Sequence, residues 1–172
     1  LGERSAEVRT AALHGVSVVR LRSEALRAAV RARLEDPRLG PEERLAAAAR
    51  RLVESAAVVG ADFSAALVAA AAGRPVDDAE EGLEQMARAG LLIAPRGVEA
   101  WPDGTVASRY GFTHDLCHEV VYEELTAGRR ARLHLSVAAR LEQAYGARAD
   151  EISAELATHF ARVQQFDVGT HQ

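Results

Sequence analysis

The feature that most constrains this chain is a change of hydrophobic period, from helical to alternating and back. Up to Gly90 the apolar residues recur every three or four positions; between Leu91 and Phe112 they alternate; from His114 the helical spacing returns. A 3.6-residue period gathers apolar side chains on one helix face, and a period of two gathers them on one strand face. Helices, then a short antiparallel unit, then helices again is the expected order. With 172 residues, 48% of them hydrophobic, such a chain can bury a core without disulfides or metals.

Residues 16–21 have the apolar content of a short strand, and Ser23 is placed to cap a helix to about Glu35 carrying Leu26, Val30 and Leu34. Asp36-Pro37 ends that helix, because a residue before proline avoids the α region. Pro41 suits the first turn of the next helix, which buries Leu45, Ala49, Leu52, Val53 and Ala56 and stops at Gly60. Asp62 is expected to cap a short helix with Phe63, Ala66, Leu67 and Ala70. Asp77 and Glu80 have capping-box spacing for a helix burying Ala79, Leu83, Met86 and Ala87.

Leu91–Ile93 and Val98–Trp101 read as two short strands, and Pro102-Asp103-Gly104 as a turn. Val106, Ser108, Tyr110 and Phe112 alternate with Ala107, Arg109 and Gly111 as in a half-buried strand. Three helices followed by a hairpin describe a winged-helix domain over residues 41–113, with residues 1–40 as a linker strand and helix. Residues 114–172 form a helical extension of solenoid type. Its first helix turns Leu116, Val120 and Val121 inward. A second, about 127–145, carries Val137, Ala138, Leu141 and Tyr145, and a third, about 150–165, carries Ile152, Leu156, Phe160 and Val163. The fold class is thus mainly α.

Composition removes several chemistries. All 21 basic residues are arginines, so no P-loop lysine and no Schiff-base lysine exist in the chain. Arginine throughout in place of lysine reads as a GC-rich bacterial coding bias. A single cysteine, Cys117, excludes an intrachain disulfide. The net charge of −4 gives no global reason to expect nucleic acid or an anionic membrane. No apolar run spans a bilayer, and residues 1–20 lack signal-peptide order. The expectation is a cytoplasmic, non-enzymatic piece of a larger protein, with no cofactor or metal of its own.

The order of elements resembles a known family. Arg33-Leu34, Leu52 and the run Ala56–Ser64 are similar to the start of the winged-helix region in bacterial STAND signalling ATPases, the NOD-like, AAA-related class. Leu83 and Ala89–Leu92 look like its helix-into-wing junction. Tyr110–Leu116 followed by Glu119–Tyr122 resembles the Phe-x-His-x-Leu segment of bacterial members. It also resembles the Met-His-Asp motif of plant disease-resistance ATPases, with Thr113 in place of the Met. Arg129–His134 and Leu156–Phe160 look like the lead-in to TPR repeats. The resemblance covers roughly residues 16–166. Ser23 stands where the family usually has proline, and Leu45–Arg51 is longer than usual.

The resemblance implies a regulatory module that couples nucleotide state to a helical sensor and an output domain. The parent protein would hold ADP or ATP with Mg. Its nucleotide-binding domain and helical sensor repeats would be this chain's partners, with a homo-oligomer on activation. It further implies that His114, with Asp115 beside it, senses nucleotide: a histidine at a strand-to-helix junction shares the helix's positive end with free backbone N–H groups. The plain alternative is a histidine that caps or packs at a helix start. Asp115 is expected to cap and orient locally. Two other classes compete: a DNA-binding winged-helix regulator and a helical interaction scaffold. The helix from Asp77 to Arg88 speaks against the first, because Asp77, Asp78, Glu80, Glu81 and Glu84 face phosphates with only Arg88 to offset them.

His114, Cys117 and His118 share one helix face at spacings that could hold a metal, but no fourth ligand is evident. His134 and His159 read as partly buried, hydrogen-bonded histidines. Arg129, Arg130 and Arg132 read as a solvated face or a contact for an acidic partner.

Overall fold

The structure is a computed structural model, and it describes residues 24–25, 27–28, 43–90 and 92–167. The strand expected at 16–21, Ser23, Asp36-Pro37 and Pro41 lie outside the described residues. The chain divides into two units, residues 1–37 and 38–172. In the first, Glu24, Ala25, Arg27 and Ala28 are helical. The second is mainly helical, with a small three-stranded antiparallel sheet in the order β1-β3-β2.

Helix α1, Glu43–Val59, buries Leu52, Val53, Ala56 and Ala57 on the face its apolar spacing defines. Gly60 ends it, donating to the Ala56 carbonyl at 3.0 Å. Asp62 does not cap the next helix. Asp62–Ser64 is a strand, β1, paired with β3, and its Phe63, opposite Tyr110, is buried. The cap is Ser64, whose Oγ accepts the Ala66 N–H at 3.3 Å and opens α2, Ala65–Ala72. Helix α2 is apolar all round, as a helix enclosed by others can be, and closes at Gly73 in the left-handed conformation.

Helix α3, Val76–Arg88, buries Ala79, Leu83 and Met86. Pro75 stands at its N-cap and no side chain caps it, so the capping box read from Asp77 and Glu80 does not form. Glu80 instead reaches the sheet and accepts the Ser108 N–H at 2.6 Å. Gly82 lets α3 approach α1 closely, since a Cβ there would meet Leu52 Cδ1 at 2.6 Å. Helices α1, α2 and α3 pack on one another.

The two short strands expected after Gly90 are one, β2, Ile93–Ala100, with a bulge between Pro95 and Gly97. Proline is tolerated there because β2 is an edge strand. Strand β3, Val106–Phe112, turns Tyr110 and Phe112 inward as expected. Near the turn Ala107 is the buried residue, and Val106 is 65% exposed. The turn is anchored at Trp101, whose N–H donates to the Thr105 carbonyl at 2.8 Å.

Helix α4, Asp115–Glu124, buries Cys117, Val120 and Val121, with Leu116 only half-buried. Helix α5, Ala127–Tyr145, buries Leu133, His134, Val137, Ala138, Leu141 and Ala144. Ala144 takes the place expected of Tyr145. A 3₁₀ segment, Gly146–Ile152, leads into α6, Ser153–Asp167, which packs back on α5. On α6 Leu156 is buried as expected and Val163, like Ile152 just before the helix, is half-buried, but Phe160 is 38% exposed and His159 takes its inward place. Leu67, Trp101, Ala107, Val137, Leu141 and Leu156 form one core spanning α2, the sheet, α5 and α6. Arg140 fastens the β2–β3 turn to α5: it lies 4.8 Å over the Trp101 ring and donates to Asp103 and Thr105. Among the described residues no helix is long and apolar enough to cross a membrane.

Candidate functional site

Strand β3 delivers His114 to the start of α4. Thr113, just before it, is held by its N–H and Oγ1, which both donate to the Leu92 carbonyl, at 2.8 and 3.2 Å. Leu92 itself has φ of 65°, a strained value for a residue with a Cβ, at the entry to the sheet. The junction is therefore fixed from both sides.

His114 is the N-cap of α4. Its Nδ1 accepts the Leu116 N–H at 3.2 Å, and its carbonyl accepts the Cys117 N–H at 2.9 Å. The cap bond comes from His114 and not from Asp115, which is the exposed first residue of the helix. An imidazole that accepts at Nδ1 and is neutral carries its proton on Nε2. Nε2 is thus the atom His114 has left to offer an anion, while its own ring already takes up one helix N–H.

From this junction a line of rings runs into the helical hairpin. Phe63 lies against Phe112 at 5.6 Å between ring centroids, and Phe112 against His118 at 5.5 Å. His118 lies 6.2 Å from Tyr122, and Tyr122 lies 6.1 Å from His134. His134 then meets His159 at 5.0 Å. Hydrogen bonds reinforce the line. His118 Nε2 donates to the Ala57 carbonyl at 2.9 Å, tying α4 to α1. The Tyr122 hydroxyl and His134 Nε2 are 3.1 Å apart, and His134 Nδ1 and His159 Nδ1 are 2.8 Å apart. Arg130 covers the Tyr122 ring at 4.9 Å and donates to the Leu125 carbonyl at 2.9 Å, closing the α4–α5 corner.

A bond between two Nδ1 atoms needs one ring to donate and the other to accept, which two neutral imidazoles can do. Burial, followed by His159, Arg162 and Arg130, lowers the His134 pKa to about 4. Burial lowers that of His159 as well. Both rings are therefore neutral at pH 7. A cleft of about 420 Å³ runs beside them, with Glu119, Glu155 and Arg162 on its rim.

His118 is committed to Ala57 and Cys117 is buried, so the spacing-based metal triplet is not assembled. Among the described residues no three His, Cys, Asp or Glu side chains gather as a metal site. The three arginines of α5 are not one solvated face: Arg129 pairs with Glu54 at 2.7 Å, and Arg130 covers Tyr122. Tyr122 and the His134–His159 pairing are additions that the structure makes to the sequence reading. Tyr122 is four residues after His118, a spacing that puts the two on one face. Nothing local indicates that His134 and His159 meet. Compared with known protein families, with curated proteins and with solved structures, the chain matches none.

Proposed function

We propose that the chain is the regulatory, non-catalytic module of a STAND signal-transduction ATPase. In this reading α1–α3 and the sheet are its winged helix, and α5–α6 begin a TPR-like superhelix. The module packs on the nucleotide-binding domain of a cytoplasmic parent, which holds ADP in its off state and oligomerises when ATP and Mg replace it. The observation that carries the reading is the line of rings from Phe112, two residues before His114, to His159 on α6. It is a contiguous route by which a change at the β3–α4 junction reaches a helical sensor. His114 Nε2 would donate to a phosphate oxygen of ADP, and Asp115 would flank it. The carboxylates at Asp77, Asp78, Glu81 and Glu84 on the exposed side of α3 weigh against the DNA-binding alternative.

The test uses His114→Ala and His114→Asn in the parent ATPase. A charge-assisted hydrogen bond to phosphate contributes about 1–3 kcal/mol, so ADP should leave roughly ten- to hundredfold faster in both variants. Asn restores the helix cap and should keep the melting temperature, whereas Ala should lower it. Unchanged ADP release in both, with a lowered melting temperature in Ala alone, would reduce His114 to a cap and contradict the reading.

A further inference from the structure

A second cleft, of about 370 Å³, lies between α1, α2 and α5. Arg51 and Ser55 of α1 line it from one side, and Arg129, Arg132 and Ser136 of α5 from the other. The methyl groups of Ala71 and Ala72 on α2, with Leu133, make its apolar wall. The Ser55 side chain is 1% exposed, yet its Oγ has no hydrogen-bond partner. Arg129 Nε is buried and unpartnered as well. Buried polar atoms are nearly always satisfied, and leaving one unsatisfied is costly. Both belong to residues that line one arginine-rich cleft, and both can donate to a bound acceptor.

The charge count gives the acceptor's sign. Glu54 is the only carboxylate bonded to these groups among the described residues; it binds Arg129 Nη2 at 2.7 Å and Arg50 Nε at 2.9 Å. Arg51 and Arg132 pair with no carboxylate among the described residues. The Arg132 guanidinium lies over Gly128 in the first turn of α5, where the helix dipole adds positive field and Thr126 supplies no side-chain cap. The Ser136 hydroxyl donates to the Arg132 carbonyl at 3.1 Å. Guanidinium groups from two helices and a hydroxyl donor suit a tetrahedral dianion, whose oxygens accept from several directions. The cleft is larger than one phosphate, and its alanine wall leaves apolar room for the group that carries it.

We propose that this cleft is a phosphate-binding site that takes the phosphate group of a small phosphomonoester through Arg51, Ser55, Arg129 and Arg132. It is separate from the junction at His114, and the nucleotide reading can fail without affecting it.

Calorimetry of the whole chain at pH 7 in 0.1 M chloride, with phenyl phosphate and inorganic phosphate as probes, tests the proposal. Phenyl phosphate should bind with a dissociation constant below about 1 mM and more tightly than inorganic phosphate. Equal affinity for both would overturn the ester in favour of free phosphate. Arg51→Ala with Arg132→Ala, both surface changes, should weaken phenyl phosphate at least about tenfold. Ser55→Ala should weaken it severalfold. No heat from either probe up to 10 mM, or binding that survives in the double arginine variant, would overturn the site.

Discussion

The two clefts are built from the same helices and differ in how their polar atoms are treated. Helix α1 gives the Ala57 carbonyl to the histidine cleft and Arg51 and Ser55 to the arginine cleft. Helix α5 gives His134 to the first and Arg129, Arg132 and Ser136 to the second. In the histidine cleft His118, Tyr122, His134 and His159 are bonded to one another or to backbone. In the arginine cleft Ser55 Oγ and Arg129 Nε are buried without partners. A satisfied polar set in a low-dielectric interior is rigid and acts as a unit; an unsatisfied one holds free energy that a ligand can release. The first arrangement suits transmission, the second capture.

The comparison breaks most severely at His134. Replacing it with Ala deletes a buried ring and leaves the Tyr122 hydroxyl and His159 Nδ1 without their partner. Chemical denaturation should show a loss of about 3 kcal/mol. A loss under about 1 kcal/mol would mean that the histidine set is not a structural unit.

Acid should weaken the same cleft. The unfolded ring takes up its proton near pH 6.5, and the folded His134 only near pH 4. Between these values the unfolded state binds more protons, so the contribution is complete above about 6.5 and lost as the pH falls toward 4. Burial moves His159 in the same direction. Going from pH 7.5 to 5 should cost about 2 kcal/mol of unfolding free energy. His134→Ala should flatten that slope, and an unchanged slope in the variant would assign the acid sensitivity elsewhere.

At the arginine cleft the sign should reverse. Ser55→Ala removes an unsatisfied hydroxyl and, in anion-free buffer, should stabilise the chain by about 1 kcal/mol. Destabilisation of that size would show that Ser55 is bonded after all and that the two clefts are alike.

What can be read from the sequence divides in the same way between local and assembled features. Helices α1 and α5 carry long apolar periods: Leu52, Val53 and Ala56 are inward as read, Ala49 is only half-buried, and on α5 Ala144 replaces Tyr145. Strand β1 is not, because three residues cannot show a period and its strand character comes from pairing with Tyr110 and its neighbours. The capping box at Asp77 fails because Glu80 finds a partner on β3 that no local pattern announces. At the junction, the place of His114 at a helix start is visible from the change of period. Asp115 is the commoner capping residue, and only the structure shows that His114 makes the cap bond. On α6 His159 and Phe160 both fit the helical spacing, three and four residues after Leu156, and the contact with His134 on α5 selects His159. The arginine cleft shows as i, i+4 and i, i+3 spacings in Arg51–Ser55 and Arg129–Arg132. Their convergence is a tertiary fact.

The central claim is that the β3–α4 junction and the α5–α6 hairpin are energetically one piece. His118 and His159 do not touch; Tyr122 and His134 lie between them. A double-mutant cycle on unfolding free energy, with His118→Ala and His159→Ala, measures whether the intervening rings join them. Independent sites add to within about 0.3–0.5 kcal/mol. The expected coupling is about 1 kcal/mol, the double variant losing less than the sum of the single ones because either change already loosens the line; additivity within that margin would contradict the claim.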